Sequence, residues 1–224
     1  RFGWQAAFVA PAAVGGAAAC LVLCVLRRSP HPPADAPHNR RGLFGALGDL
    51  PTTLKALVGD PRMRQLMFAY FWLSVVRAGV ADWTPVMLEE GRGLPAAAAG
   101  RCLAVMEVAG LGAGVLGGWA SDRAFGGRRA PVMAVGCGGA AVALVALAAV
   151  VGRGGASPDG GLLLVYAAVG ACTFSPHVLS SLAAREASPP AMASSAMGVV
   201  KGAGQVGASL AGAPLAAVAA AFGW

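Results

Sequence analysis

Charge is scarce in this sequence. Only 12% of its 224 residues are Asp, Glu, Lys or Arg, about half the share of an ordinary soluble domain. A chain so poor in ionised groups cannot clothe a water-facing surface with them, which excludes the common soluble classes. Cysteine is also sparse: Cys20, Cys24, Cys102, Cys137 and Cys172 all sit in apolar runs, with no C-x-x-C pair. With three histidines in all there is no zinc-ligand spacing, so no metal or redox centre is implied. The cysteines read as small core residues.

What replaces charge is apolar surface. Hydrophobic residues make up 57% of the chain and glycine contributes 33 positions, with a mean hydropathy of +0.65. Windows of the roughly 20 apolar residues that cross a bilayer as a helix fall at 5–26, 64–87, 96–120, 130–151, 161–183 and 191–221. The expectation is an all-α membrane protein with six transmembrane helices. The first window is a mature span rather than a secretory signal, because its cations, Arg27 and Arg28, follow the apolar run.

The net charge of +7 follows topology rather than nucleic acid. Arg27, Arg28, Arg40, Arg41, Lys55, Arg62, Arg64, Arg123, Arg128, Arg129 and Arg185 lie in or beside the loops after the first, third and fifth spans. Arg1, Arg92, Arg101 and Arg153 mark the other side. Cation-rich loops face the cytosol, so the first span runs from outside to inside. That odd start implies helices upstream. The chain divides into a spanning helix at 1–27, a Pro-rich cytosolic loop at 28–62 that holds His31 and His38, and five closely connected spans at 63–224. Within the loop, 43–58 reads either as an amphipathic surface helix or as plain linker.

Several ionisable residues lie at membrane depth. In "VVRAGVADW", Arg77 is about 11 residues, or roughly 16 Å, from either end of its span. A cation there costs about 2.5 to 3.5 kcal/mol on insertion scales, so it needs a partner or a wet cavity. Asp82, five positions on, is rotated by about 140° and makes a poor internal partner. The guanidinium fork suits two phosphate oxygens, or a structural pairing with Glu107 in "LAVMEVAG". Lys201 in "GVVKGAGQVG" is either a second phosphate contact or a side chain stretched to the rim. His177 in "TFSPHVLSS" could meet a hydroxyl of a solute or be satisfied by local backbone. The string "GAGQVG" fits G-x-G-x-x-G, but no strand precedes it. Glycines 198 and 202, and 110, 114 and 118, instead show the four-residue spacing of close helix approach.

The cytosolic "GWASDRAFGGRRAP" at 118–131 resembles the loop signature of the major facilitator superfamily. There, Asp122 with Arg123, Arg128 and Arg129 can form a rim network that breaks and reforms as two halves rock. "VVRAGVADWTPVMLEE", "FSPHVLSSLAAREASPP", "GQVGASLAGAPLAAVAAAFGW" and the opening "GWQAAF" narrow the resemblance to the organophosphate:phosphate antiporters. The resemblance implies a partial major facilitator fold covering the sixth to eleventh helices, with the N-terminal half missing. It further implies exchange of a phosphate ester for inorganic phosphate, Arg77 as phosphate ligand, Glu107 as its releasable partner, and neither cofactor nor catalysis. A sugar-phosphate sensor and a facilitator of another organic anion stay open. The host membrane, whether plasma membrane, endoplasmic reticulum or plastid, is not specified by any signal in the chain.

Overall fold

The computed structural model describes residues 16–20, 50–152 and 160–212, with 214, 216, 217 and 221. The chain divides into two compact units, Arg1–Arg41 and Gly42–Trp224. In the first, residues 16–20 are helical; the rest of the first expected span, "GWQAAF", Cys24, His31 and His38 lie outside the described residues.

The second unit is all-helical, with no strand among the described residues: α1 (Leu50–Gly59), α2 (Pro61–Glu90), α3 (Ala96–Ala124), α4 (Arg129–Gly152), α5 (Gly160–Glu186), a 3₁₀ turn (Pro190–Met192) and α6 (Ala193–Leu210). Three of these, α3, α4 and α5, are long and apolar enough to cross a membrane. At 30 residues α2 is about 45 Å long, but it carries Arg77 and Asp82 within it. The last helix, α6, gives way to a turn at Ala211 and Gly212, and the described residues beyond it in the expected window, 214, 216, 217 and 221, are helical again. Part of the loop expected at 28–62 is α1, which is no plain linker: Leu57, 4% exposed, packs with Met63, Tyr70, Ala196 and Val200.

Local signals explain the boundaries. Asp60 caps α2, its Oδ1 accepting from the Arg62 N–H at 2.8 Å, and Pro61 fills the first turn, where no N–H is missed. Between α3 and α4, Gly126 and Gly127 adopt φ of 58° and 82°, a region costly to residues with a Cβ. The reversal is held by Gly127 N–H on Ser121 O at 2.9 Å and by Ser121 Oγ donating to Arg128 O at 3.1 Å.

Helix α5 is the central element, packed along α3 and α4, while α2 packs along α6. Two apolar clusters result. One gathers Leu88, Cys102, Met106, Leu162 and Tyr166 where α2 ends and α5 begins. The other lies where α2 begins and α5 ends. The middle of α2 between them is where polar residues collect.

Close approach depends on glycine, and the expected four-residue repeats supply part of it: Gly110 and Gly114 meet the Phe174 ring, whereas the other members stand clear. Nothing lies within 4 Å of a Cβ built at Gly118, Gly198 or Gly202. Further tight contacts are Gly204 and Gly207 on Tyr70 and Phe71, Gly117 on Ser175, Gly136 on Pro176, Gly139 on Cys172, and Gly170 on the Met106 backbone carbonyl. The four-residue rule fixes a face but not which neighbour meets it, and α6 turns the face containing Gly204 and Gly207 toward α2. The cysteine expectation also needs correction. Cys102 is buried, but Cys20 and Cys137 are exposed, because in lipid an apolar side chain has no need of a protein interior.

Candidate functional site: a cationic cavity at the middle of α2

Tyr70, Ser74, Arg77 and Ala81 share one face of α2 at helical spacing, with Ala78 and Asp82 off its edge, and Lys201, Gly204, Gln205 and Ala208 likewise share one face of α6. Together with His177 from α5 they line an open-mouthed cavity of about 420 Å³, within the range of small-molecule sites. The structure thus brings together Arg77, Asp82, His177 and Lys201, which come from three separate helices.

Arg77 has two neighbours outside the cavity lining. Its Nη2 donates to both carboxylate oxygens of Glu107 on α3, each at 2.9 Å, and its Cζ lies 4.7 Å from the centroid of the Phe174 ring. Since both bonds leave from one nitrogen, Nε and Nη1 make no hydrogen bond among the described residues. The side chains are 31% and 47% exposed, so this pair is worth at most about 1 kcal/mol as it stands. Of the two readings of Arg77, the Glu107 pairing is therefore present, and the guanidinium still lines the cavity. Asp82 lines it too but forms no ion pair among the described residues, as its angular offset predicts. Lys201 is exposed and likewise without an ion pair among the described residues.

His177 is not satisfied by local backbone. Its Nε2 shares a hydrogen bond with the Tyr70 hydroxyl, whereas its Nδ1 is buried without a partner. Tyr70 and Phe174 were not anticipated; Tyr70 sits two turns before Arg77 on the same face, a signal the sequence does contain.

At the opposite end of α3, the expected rim network forms in part. Arg129 donates from Nη1 to Asp122 Oδ1 at 2.5 Å and from Nη2 to Glu186 Oε1 at 2.8 Å. Its Nε approaches the same carboxylate at 3.2 Å, so one fork bridges the ends of α3, α4 and α5. Arg123 and Arg128 do not join: both are exposed and neither has an ion pair among the described residues. Position decides this, because Arg128 lies in the turn while Arg129 opens α4 and is only 13% exposed. Glu186, the missed member, closes the fifth span beside Arg185 and was legible as a rim carboxylate in need of a cation. No cluster able to hold a metal occurs among the described residues.

Comparison with known proteins follows the same lines. The family profile described as Major Facilitator Superfamily matches residues 1–212. The chain belongs to the Major Facilitator Superfamily. It is accordingly a multi-pass integral membrane protein. It is 33% identical over 159 residues to the "Probable hexose phosphate transport protein" of Chlamydia muridarum, a match covering 71% of this chain and 34% of that protein. It is 30% identical over 173 residues to the "Membrane sensor protein UhpC" of Escherichia coli K12, covering 76% and 38%. It is 26% identical over 219 residues to the "Glycerol-3-phosphate transporter" of Bacillus subtilis, covering 92% and 48%. These relatives are consistent with the organophosphate:phosphate antiporter resemblance. The chain spans about a third to a half of their length. No solved structure gives a significant match.

Proposed function

We propose that this chain forms the later part of a secondary transporter that exchanges a sugar phosphate or glycerol phosphate for inorganic phosphate by alternating access, together with an N-terminal half not included in it. Arg77 binds the phosphate group and Lys201 supplies a second cation. His177, held by Tyr70, meets a hydroxyl of the organic part. Glu107 is the counter-ion that takes more of the guanidinium when the site is empty and less when phosphate arrives. Asp82 adjusts the local potential, and the rim charges Asp122 and Arg129 open and close with the rocking of the halves. No covalent bond is made or broken, so the protein is not an enzyme, and no cofactor takes part.

The observation that carries this reading is the state of Arg77. It is engaged by Glu107 through a single nitrogen and lines a cavity shared with Lys201. A bound anion repays the cost of a cation at membrane depth, and closure around an empty cationic site is unfavourable, which makes exchange obligatory. The test is Arg77→Lys in the full-length protein reconstituted into liposomes. Lysine keeps the charge but loses the planar fork, so phosphate exchange should drop by about 100-fold or more while folding is retained. Undiminished exchange would remove Arg77 from the site.

A second reading is a sugar-phosphate sensor; the Escherichia coli relative is named a membrane sensor protein, which supports the sensor part of it. It predicts saturable binding without counterflow in the same liposomes. A third, facilitated passage of another organic anion, predicts uptake that inorganic phosphate does not compete away.

A further inference from the structure

We propose that Phe174 is a positioning residue for the anion site: its ring holds the Arg77 guanidinium at the cavity without neutralising it or occupying its donors. This rests on the reading of Arg77 as phosphate ligand. The Arg77 Cζ is 4.7 Å from the ring centroid, inside the roughly 6 Å over which a cation is attracted to an aromatic face.

The seat of the ring is built into α3. A Cβ at Gly110 would lie 2.7 Å from Phe174 Cδ2 and 3.0 Å from Cγ, and one at Gly114 would lie 3.6 Å from Cδ1. Gly110 therefore has to lack a side chain for the ring to lie where it does. Glu107, Gly110 and Gly114 are three and four residues apart, so they share one face of α3. That face presents Arg77 with a carboxylate at one level and seats the aromatic ring beneath the same guanidinium one turn on.

The two contacts differ in kind. Glu107 and a bound phosphate are both anions, and each weakens the other's hold on Arg77. The ring attracts the cation through its quadrupole, whichever anion is present. It also takes none of the N–H groups that a phosphate needs. Phe174 thus keeps the guanidinium in register during exchange, when the grip of Glu107 slackens.

The test replaces Phe174 in the full-length, reconstituted protein with mono-, di- and trifluorinated phenylalanine, which withdraw charge from the ring face with little change of shape. The probe is labelled inorganic phosphate in phosphate–phosphate exchange. KM should rise stepwise with fluorine number, and Phe174→Leu should raise it about 2- to 30-fold with kcat within about twofold; Phe174→Tyr should stay close to the parent. A KM flat across the fluorine series overturns the inference, even where the leucine variant fails to fold. If Arg77→Lys leaves exchange intact, the phosphate reading itself falls. If that variant is inactive and the fluorine series is flat, only the role of Phe174 is lost.

Discussion

The hydroxyl of Tyr70 on α2 lies 2.7 Å from Nε2 of His177 on α5, and the two rings, tilted at 34°, have centroids 4.3 Å apart. One bond and one ring contact therefore join two spans at the wall of the cavity. Tyr70 is held there because Gly204 on α6 has no Cβ to displace its ring.

Tyr70→Phe keeps the ring and removes the bond. If His177 faces the organic part of the solute, KM for a sugar phosphate should rise about 2- to 13-fold, the range of one lost hydrogen bond. KM for inorganic phosphate should stay within about twofold. Parallel uptake assays with labelled ester and labelled phosphate check this, and an equal effect on both solutes would assign Tyr70 to packing alone.

Glu107→Gln removes the counter-charge but keeps the shape. Phosphate should then bind more tightly, with KM lowered about 3- to 10-fold, and kcat should fall because the bound state is stabilised more than the state that releases it. Steady-state exchange kinetics in liposomes give both constants. A raised KM would make Glu107 a solute ligand rather than a competitor.

At the rim, Arg129→Ala leaves two carboxylates, Asp122 and Glu186, without their shared cation. Because both carboxylates are about half exposed and hydrate once freed, a loss of about 0.5 to 1.5 kcal/mol is expected for this three-member network, read as a melting temperature lower by a few degrees in detergent. Arg128→Ala, one position earlier, should change stability by less than about 0.5 kcal/mol. Equal effects of the two would mean that charge count rather than geometry governs this end.

Gly170→Ala drives a methyl group into the Met106 backbone carbonyl, which has no rotamer by which to yield. Overpacking of this kind costs about 1 to 3 kcal/mol. Gly198→Ala, with nothing within 4 Å, should be neutral or slightly stabilising through helix propensity. Thermal melting of both variants separates the glycines that pack from those that do not.

Much of the fold was legible because a bilayer imposes length and apolarity on every span, and those leave plain windows in the sequence. Arg77, Glu107 and Lys201 were legible for the complementary reason that an ionisable group at such depth is conspicuous. Phe174 was not, since an aromatic residue in an apolar helix carries no mark of the cation it faces. Nor could spacing choose between Gly202 and Gly204: periodicity gives the angle of a side chain about its own axis but not which neighbour stands there. Arg128 and Arg129 look alike in sequence, and only the left-handed turn at Gly126 and Gly127 decides that the second is aimed back at Asp122.

That turn has a consequence for assembly. Asp122 and Arg129 are separated by so short a stretch that bringing them together costs little loop-closure entropy. The α3–α4 hairpin thus carries its own clasp, encoded within eight consecutive residues. It needs no distant segment to close, and Glu186 arrives later in the chain to reinforce a fastening that is already made.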